Sequence, residues 1–264
     1  MLRYITLGLI QGITEFLPIS SSGHLVIFKH LFGLQGANNP ILEALLHLGT
    51  LIAVFAVFYG RIKKIILSPI SGSKEQLKYL IHLVIATVPI AIVGLLARDF
   101  IEAAFNSVRS AGAGLLFTGL FLFVLRYRKR TAIERGTDSF SWKDALSIGL
   151  AQVTALFPGI SRSGVTISTG LFKKLEPDLV AEFSFLLMVP AVLGANILQG
   201  FEGFINNSIS SIPIGAYILG TATATISGYF AIKWLLKILR KGELTNFSYY
   251  CLALGTGVLI WSFI

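Results

Sequence analysis

A stretch near the start of the chain, residues 11–24, concentrates side chains that could carry out catalysis. It reads QGITEFLPISSSGH and holds an amide, a carboxylate, three serine hydroxyls and an imidazole. The sequence around it is strongly apolar, and in hydrocarbon an unpaired polar group costs several kcal/mol. We therefore expect these side chains to be paired, or to line a hydrated cleft in which they have a function.

The carboxylate and the imidazole of this stretch are the candidate catalytic groups. Glu15 lies four residues after Gln11, so a helix places both on one face. Glu15 is a candidate general base, or a metal ligand together with Gln11; the alternative is a carboxylate that is merely satisfied by serine or backbone donors. His24 follows the serines closely enough for a Ser–His pair, the minimum for an activated nucleophile. The alternative is an ordinary histidine at a polar interface.

The three hydroxyls belong to Ser20, Ser21 and Ser22, which precede a second short apolar segment. Serine is a common N-cap, so helix capping is the alternative to chemistry for each of them. Three serines followed by Gly23 favour an anion site. Glycine lets the backbone approach a ligand closely, and a helix N-terminus presents free N–H groups to an anion.

A second polar stretch, PGISRSGVT over residues 158–166, has the same character. Its candidate phosphate-binding residues are Ser161, Arg162, Ser163, Gly164 and Thr166. An arginine at membrane depth is expensive, and its planar guanidinium suits two parallel hydrogen bonds to a phosphate. The alternative is a salt bridge between Arg162 and Glu15 that involves no ligand.

The composition indicates that transmembrane helices position these residues. The 264 residues are 54% hydrophobic and only 13% charged, with a mean hydropathy of +0.77, whereas soluble domains carry roughly 25% charged residues. The net charge of +9 lies in short clusters between apolar runs, which is typical of membrane topology, so no nucleic acid is expected as a partner. We predict an all-α polytopic membrane protein with one integral membrane domain over residues 1–264.

The apolar segments fall into two length classes. A helix needs about 20 apolar residues to cross a bilayer. Six segments approach that length: 41–60, 79–97, 111–127, 181–200, 212–232 and 246–264. Four shorter segments form two pairs, each broken by a turn rich in Pro, Ser and Gly: 4–17 with 24–34, and 144–157 with 164–172. We predict six transmembrane helices and two re-entrant helix–turn–helix pairs.

The basic residues predict which loops face the cytoplasm. Lys and Arg cluster after segments 41–60, 111–127 and 212–232, whereas loop 200–211 has neither and is expected outside. This alternation places both termini outside. The first re-entrant pair then enters from outside, and the second enters from the cytoplasm.

The two polar stretches are copies of one another. Residues 8–23 align without gaps to residues 149–164, with eight identities in sixteen positions. Three crossings separate the copies, so we predict an inverted-topology repeat with halves of approximately 1–130 and 140–264. Broken helices in inverted repeats build sites near the membrane midplane, so one site should contain both turns.

The two motifs also carry a resemblance to a known family. They read Gln11-x-x-x-Glu15 with Pro18-Ile-Ser-Ser-Ser-Gly-His24, and Pro158-Gly-Ile-Ser-Arg162-Ser-Gly164-x-Thr166. Together they resemble the bacterial undecaprenyl pyrophosphate phosphatases of the bacitracin-resistance type, over the whole chain. The resemblance implies that the chain hydrolyses the C55 polyprenyl diphosphate carrier lipid to the monophosphate and inorganic phosphate. The reaction would take place at the external face of the bacterial inner membrane and recycle the cell-wall carrier.

The resemblance implies roles for single residues. Ser21 matches a nucleophilic or phosphate-contacting serine, His24 the catalytic histidine and Arg162 the essential arginine. The family is associated with a divalent cation, here Mg²⁺ or Ca²⁺. This chain has Gln11 where the family has Glu or Gln, which leaves Glu15 as the motif's one carboxylate for a metal site. The expected partners are the lipid substrate and the bilayer, with a homodimer as an open alternative.

Two classes of function remain at this point. In the enzyme, Arg162 and Ser161 bind the diphosphate, and Ser21 attacks the terminal phosphorus or positions a water. His24 exchanges the proton, while Glu15 orients His24 or holds the cation. The rival is a transporter or flippase for a polyprenyl phosphate or another anion, because inverted repeats with broken helices are typical of transporters. Phosphate release in detergent would distinguish the two.

Overall fold

The computed structural model describes residues 1–34, 40–69, 72–128, 134–205 and 213–263, without the side chains of residues 40 and 197–205. Over these ranges the chain is helical and forms no strand, which confirms the predicted all-α class. The helices are α1 (Leu2–Phe16), α2 (Ser21–Leu31), α3 (Pro40–Leu67), α4 (Lys74–Leu96), α5 (Arg98–Phe105), α6 (Val108–Val124), α7 (Trp142–Val153), α8 (Arg162–Phe172), α9 (Pro177–Ile205), α10 (Ile214–Lys241) and α11 (Asn246–Trp261).

A helix–turn–helix lies at each polar stretch, and each is broken at a proline. The residue before a proline avoids the helical region of the backbone. Leu17 precedes Pro18 and has φ −66° and ψ 145°. Phe157 precedes Pro158 and has φ −85° and ψ 131°. The first helix of each pair therefore ends there, and the chain turns into α2 or α8.

Four helices of the described residues are long and apolar enough to cross a membrane, in keeping with a polytopic membrane protein: Ile41–Leu67, Lys74–Leu96, Val108–Tyr127 and Pro177–Asn196. They match four of the six predicted crossings. The other two predicted crossings correspond to α10 and α11. Helix α11 has 16 residues, short of the length that a bilayer core requires. Helix α10 has 28 residues, but Thr and Ser recur along its first half.

Two further differences from the predicted segments concern loops. A short helix, α5, occupies a region predicted as a loop, and a salt bridge between Arg98 and Glu102 one turn apart supports it. The predicted external loop 200–211 begins inside α9, and its residues 206–211 lie outside the described part of the chain.

Close helix contacts hold the two helix–turn–helix pairs in place. Helix α1 packs along α10, and α7 packs along α4. A Cβ atom added at Gly8 would lie 2.3 Å from the carbonyl oxygen of Gly220, and one at Gly149 would lie 2.4 Å from that of Ala86. Any side chain at Gly8 or Gly149 would therefore collide with backbone, so these glycines permit the approach. At the end of α1, Phe16 packs edge-to-face on Phe185 of α9.

Candidate active site

The two turns are joined directly to each other. Ser163 Oγ donates a hydrogen bond to the carbonyl of Leu17 at 3.2 Å, and the Gly159 N–H donates to Ser22 Oγ at 3.4 Å. A Cβ atom at Gly23 would lie 2.9 Å from Gly159 Cα, so the backbones are in contact there. The structure thus brings both polar stretches into one site.

Ser20 and Ser161 are the N-caps of α2 and α8. Ser20 Oγ accepts from the Gly23 N–H at 3.2 Å, and Ser161 Oγ accepts from the Gly164 N–H at 3.1 Å. Capping, which was weighed as the alternative to chemistry for Ser20, is found for Ser20 and also for Ser161.

Four backbone N–H groups follow these caps without a hydrogen-bond partner in the described residues; they belong to Ser21, Ser22, Arg162 and Ser163. They lie at two neighbouring helix N-termini, where the helix dipole is positive and favours an anion. The two halves of the chain therefore supply donors that a phosphate group could use together.

Ser20 has an unusual backbone conformation, with φ 67° and ψ 101°. A non-glycine residue on this side of the Ramachandran map costs on the order of 1–3 kcal/mol. The strained residue stands immediately before Ser21, so it sets the direction from which the Ser21 side chain leaves the turn.

Glu15 is the centre of the polar network. Its Oε2 accepts a hydrogen bond from Ser21 Oγ at 2.5 Å and one from Gln11 Nε2 at 2.9 Å. Its Oε1 accepts from Arg162 Nη2 at 2.9 Å, which forms a salt bridge between the halves. The side chain of Glu15 is only 7% exposed, and these donors stabilise its charge.

Arg162 is held from two sides. Besides Glu15, it donates from Nη1 to the carbonyl of Ser184 at 2.9 Å. The salt bridge to Glu15 that was weighed as an alternative to ligand binding is therefore present. A guanidinium has five N–H donors, so the Glu15 and Ser184 bonds leave others to contact a phosphate. Thr166, also predicted to bind phosphate, is fully buried and bonds the Arg162 carbonyl and the Ser184 hydroxyl.

His24 is held by Ser20 and Tyr250. Its Nδ1 is 2.7 Å from the Ser20 carbonyl, and its Nε2 is 2.7 Å from the hydroxyl of Tyr250 on α11. No hydrogen bond joins this buried ring to Ser21 or Glu15, both of which the structure describes. The predicted Ser–His pair and the predicted orientation of His24 by Glu15 are therefore not formed. The bond to the carbonyl one turn earlier fixes the imidazole on the side of α2 that faces α11.

Two residues of the site were not assigned to it by the sequence. His47 of α3 is one of them, and its Nε2 lies 3.9 Å from Glu15 Oε2. Glu43, four residues earlier on the same face of α3, forms a salt bridge with Lys29 instead. Tyr250 lies among aromatic residues of an apolar segment, and nothing in that pattern distinguishes it from a packing residue.

Comparison with known proteins identifies the family. Residues 4–257 match the family described as "Bacitracin resistance protein BacA". The chain belongs to the BacA family. An undecaprenyl-diphosphatase of Halothermothrix orenii is 40% identical, with 98% of this chain and 96% of the relative covered. One of Carboxydothermus hydrogenoformans is 42% identical, with 97% and 95% covered. Undecaprenyl-diphosphatase 3 of Bacillus cereus is 40% identical, with 99% and 97% covered.

The sequence predicts a divalent cation, Mg²⁺ or Ca²⁺, at Glu15 and Gln11 of this BacA-family chain. Such a cation takes six or more oxygen ligands. Both carboxylate oxygens of Glu15 already accept hydrogen bonds. Of the oxygens of Glu15 and Gln11, only Gln11 Oε1 is buried without a hydrogen-bond partner. The described residues contain no group of three His, Cys, Asp or Glu that could hold a metal. The site does not fit a cation held by the protein.

Proposed function

We propose that this protein hydrolyses undecaprenyl diphosphate to the monophosphate and inorganic phosphate, as a phosphoric anhydride hydrolase. The names of its relatives support this proposal, since each of those reported above is an undecaprenyl-diphosphatase. In the structure, the observation that carries it is the 2.5 Å hydrogen bond from Ser21 to Glu15, beside Arg162. A hydroxyl bonded to a carboxylate and placed next to a cation is the arrangement of an activated nucleophile.

In the first step, Ser21 Oγ forms a bond to the terminal phosphorus and its proton passes to Glu15. The bond from that phosphorus to the bridging oxygen breaks, and the prenyl monophosphate leaves. In the second step, a water adds to the phosphorus and the bond to Ser21 Oγ breaks. Glu15 returns its proton to Ser21, and the released phosphate takes up the proton from the water.

The remaining groups stabilise charge on the transferred phosphoryl group. Arg162 provides a fixed positive charge with free N–H donors, and the two helix N-termini add backbone N–H groups around it. Such donors are effective in a poorly hydrated site because they need no rearrangement as the charge develops. Ser22 and Ser163, which join the turns, hold these donors at a fixed separation.

The membrane arrangement that accompanies this function is an inverted repeat of six crossings and two re-entrant pairs. The active site and both termini would face the outside of the plasma membrane. The matching order of helices in the halves supports the repeat, as do the equivalent contacts of Gly8 with α10 and of Gly149 with α4. Single engineered cysteines at Met1 and in the loop before α4 test the topology: an impermeant maleimide should label only the first from outside.

The direct test of function is phosphate release from a prenyl diphosphate by purified protein in detergent, where no membrane gradient exists. We expect release by the wild type and at least about 10³-fold slower release by Ser21→Ala. The rival function, a flippase for a polyprenyl phosphate, predicts binding without release. The names of the relatives do not favour it.

A further inference from the structure

His47 of α3 has an unbonded ring nitrogen beside the carboxylate of the active site. Its Nδ1 lies 2.9 Å from the Glu43 carbonyl oxygen, one turn earlier. A carbonyl oxygen can only accept, so Nδ1 carries a hydrogen, and in the neutral imidazole Nε2 then carries a lone pair. This Nε2 has no hydrogen-bond partner among the described residues. It lies 3.9 Å from Glu15 Oε2, which is too far for a direct hydrogen bond.

The other histidine of the site does not have this freedom. His24 is anchored in the same way, by Nδ1 to a carbonyl one turn earlier, but its Nε2 is bonded to the Tyr250 hydroxyl. His24 is also only 4% exposed, whereas the side chain of His47 is 30% exposed. Of these two histidines, only His47 therefore has both a lone pair and open space beside its ring.

The carboxylate of Glu43 leaves the His47 ring free for the active site. Glu43 forms its salt bridge with Lys29, and His47 bonds only its main-chain oxygen. Glu15 is the one acidic side chain of the described residues that lies within 4 Å of a His47 ring nitrogen. The oxygen that faces His47 is Oε2, the same oxygen that accepts from Ser21 Oγ. His47 and the reacting hydroxyl thus share one carboxylate oxygen.

The second step of the proposed reaction needs a base that Glu15 cannot provide. Glu15 takes the proton of Ser21 in the first step and must return it to Ser21 in the second. A carboxyl group that acts as the acid in a step cannot also take the proton of the attacking water in that step. His47 Nε2 is a lone pair next to this carboxyl group that no hydrogen bond occupies.

We propose that His47 is a catalytic residue, whose Nε2 is the general base for the water of the second step. This role rests on the proposed function. As the water oxygen forms its bond to phosphorus, one water proton passes to Nε2. The bond from phosphorus to Ser21 Oγ breaks, and the proton of Glu15 passes to that oxygen. The imidazolium then gives its proton to the released phosphate. Because Glu15 becomes an anion as His47 becomes a cation, the two charges attract each other across the gap of 3.9 Å.

The experiment follows one turnover of a terminally labelled prenyl diphosphate in detergent by rapid acid quenching. His47→Gln and His47→Asn both lack a basic nitrogen but keep a polar amide, and the partly exposed position should accept either. In both variants the first step should keep its rate, while release of inorganic phosphate should fall about 10²-fold. Prenyl monophosphate should then appear as a burst of about one per protein molecule, with the label held on Ser21.

The matched control is His30→Gln. His30 is an exposed histidine of α2 that packs on Trp261, so this variant should behave as wild type. All variants are first checked for wild-type helicity and elution volume.

Two results would overturn the role of His47. One is phosphate release that falls by less than about tenfold in His47→Gln and His47→Asn. The other is a loss without a burst and without label on the protein, because a purely structural role would slow both steps together. Failure of the proposed function looks different, since the wild type itself would then release no phosphate.

Discussion

Glu15 and Arg162 are 147 residues apart in sequence, and their side chains form a salt bridge of 2.9 Å at the junction of the two turns. Both are largely removed from solvent, with side chains 7% and 14% exposed. Each charge is therefore the main reason that the other can be kept in an apolar protein. The same carboxylate accepts a hydrogen bond from the Ser21 hydroxyl, so Glu15 holds the Arg162 guanidinium and the Ser21 hydroxyl beside each other. The stability of the fold and the proposed catalysis therefore both depend on this salt bridge.

Removing Arg162 should damage both properties. We expect Arg162→Ala to lower phosphate release by about 10³-fold, because the transferred phosphoryl group loses its fixed cation. It should also destabilise the fold by about 3 kcal/mol, because Glu15 is left buried and unpaired. Phosphate release and thermal unfolding in detergent measure the two effects. As a matched control, Arg61→Ala breaks the salt bridge to Glu182, whose two residues belong to neither turn. It should lower stability while folded molecules keep wild-type kcat; equal kcat losses in both variants would contradict the assignment.

Ser21 and Ser22 should differ sharply on substitution. Ser21→Ala removes the nucleophile and should reduce release by at least about 10³-fold, within the range seen when a catalytic nucleophile is removed. Ser22→Ala removes one hydrogen bond between the turns and should lower the rate of phosphate release by about tenfold or less. Acid quenching with a terminally labelled diphosphate should trap label on wild-type protein and none on Ser21→Ala. If Ser21→Ala keeps more than a tenth of the wild-type rate, a water is the nucleophile instead.

The positive φ of Ser20 leads to a prediction about the stability of two variants at this position. Ser20→Gly introduces a residue that tolerates positive φ, and the loss of the capping hydroxyl should cost only a few tenths of a kcal/mol of stability. Ser20→Ala loses the cap, at a cost of about 1 kcal/mol, and keeps the strain. Thermal unfolding in detergent should therefore rank Ser20→Gly above Ser20→Ala. The reverse order would show that the hydroxyl, and not the backbone conformation, dominates at this position.

The substrate-free protein should not bind a divalent cation tightly. Because Ser21, Gln11 and Arg162 already occupy the Glu15 oxygens, isothermal titration with Mg²⁺ or Ca²⁺ should show no saturable heat. Glu15→Gln, which removes the charge and keeps the shape, should give the same baseline. Stoichiometric binding by the wild type that disappears in Glu15→Gln would establish a protein-held site after all.

The carboxylate of Asp144 stabilises the start of α7, so its protonation in acid should lower the stability of the protein. Burial alone would raise the pKa of Asp144, but hydrogen bonds from Arg135 and Ser141, together with the charge of Arg135, lower it. A lowered folded-state pKa means that the ionised carboxylate stabilises the fold above the unfolded pKa of about 3.9. This contribution is lost as the pH falls through the folded-state pKa.

The matching variant is Asp144→Asn. It should unfold more easily than wild type at pH 7, by about 1–2 kcal/mol, since Arg135 is partly exposed and solvent screens the pair. The difference should narrow below about pH 4 when thermal unfolding is followed in detergent. A gap that stays constant from pH 7 to pH 3 would exclude the carboxylate charge as its cause.

The sequence predicts best those features that depend on local chemistry. Pro18 and Pro158 mark both helix breaks, since a proline constrains the residue before it wherever it stands. Capping was weighed for Ser20 because serine is common at the start of a helix, and the repeat of the motif extends the same reasoning to Ser161. The salt bridge between Arg162 and Glu15 was weighed only as the alternative to a phosphate contact, and the structure contains it.

What could not be predicted depends on how helices are rotated against one another. Spacing alone places His24 near Ser21, but the rotation of α2 directs its imidazole toward Tyr250. His47 reaches Glu15 for a similar reason, since only the packing of α3 decides which turn of that helix faces the site. No local pattern in the chain carries this information.

The hydrogen bonds between the turns also determine when the site can exist during synthesis. Ser22 needs the Gly159 N–H, and the Leu17 carbonyl needs the Ser163 hydroxyl, so each half completes the other. Until the second half of the chain has been made, the Ser22 hydroxyl and the Leu17 carbonyl lack these donors. A chain that terminates before residue 159 therefore contains the first turn but neither of the hydrogen bonds that join it to the second turn, so it cannot form the site.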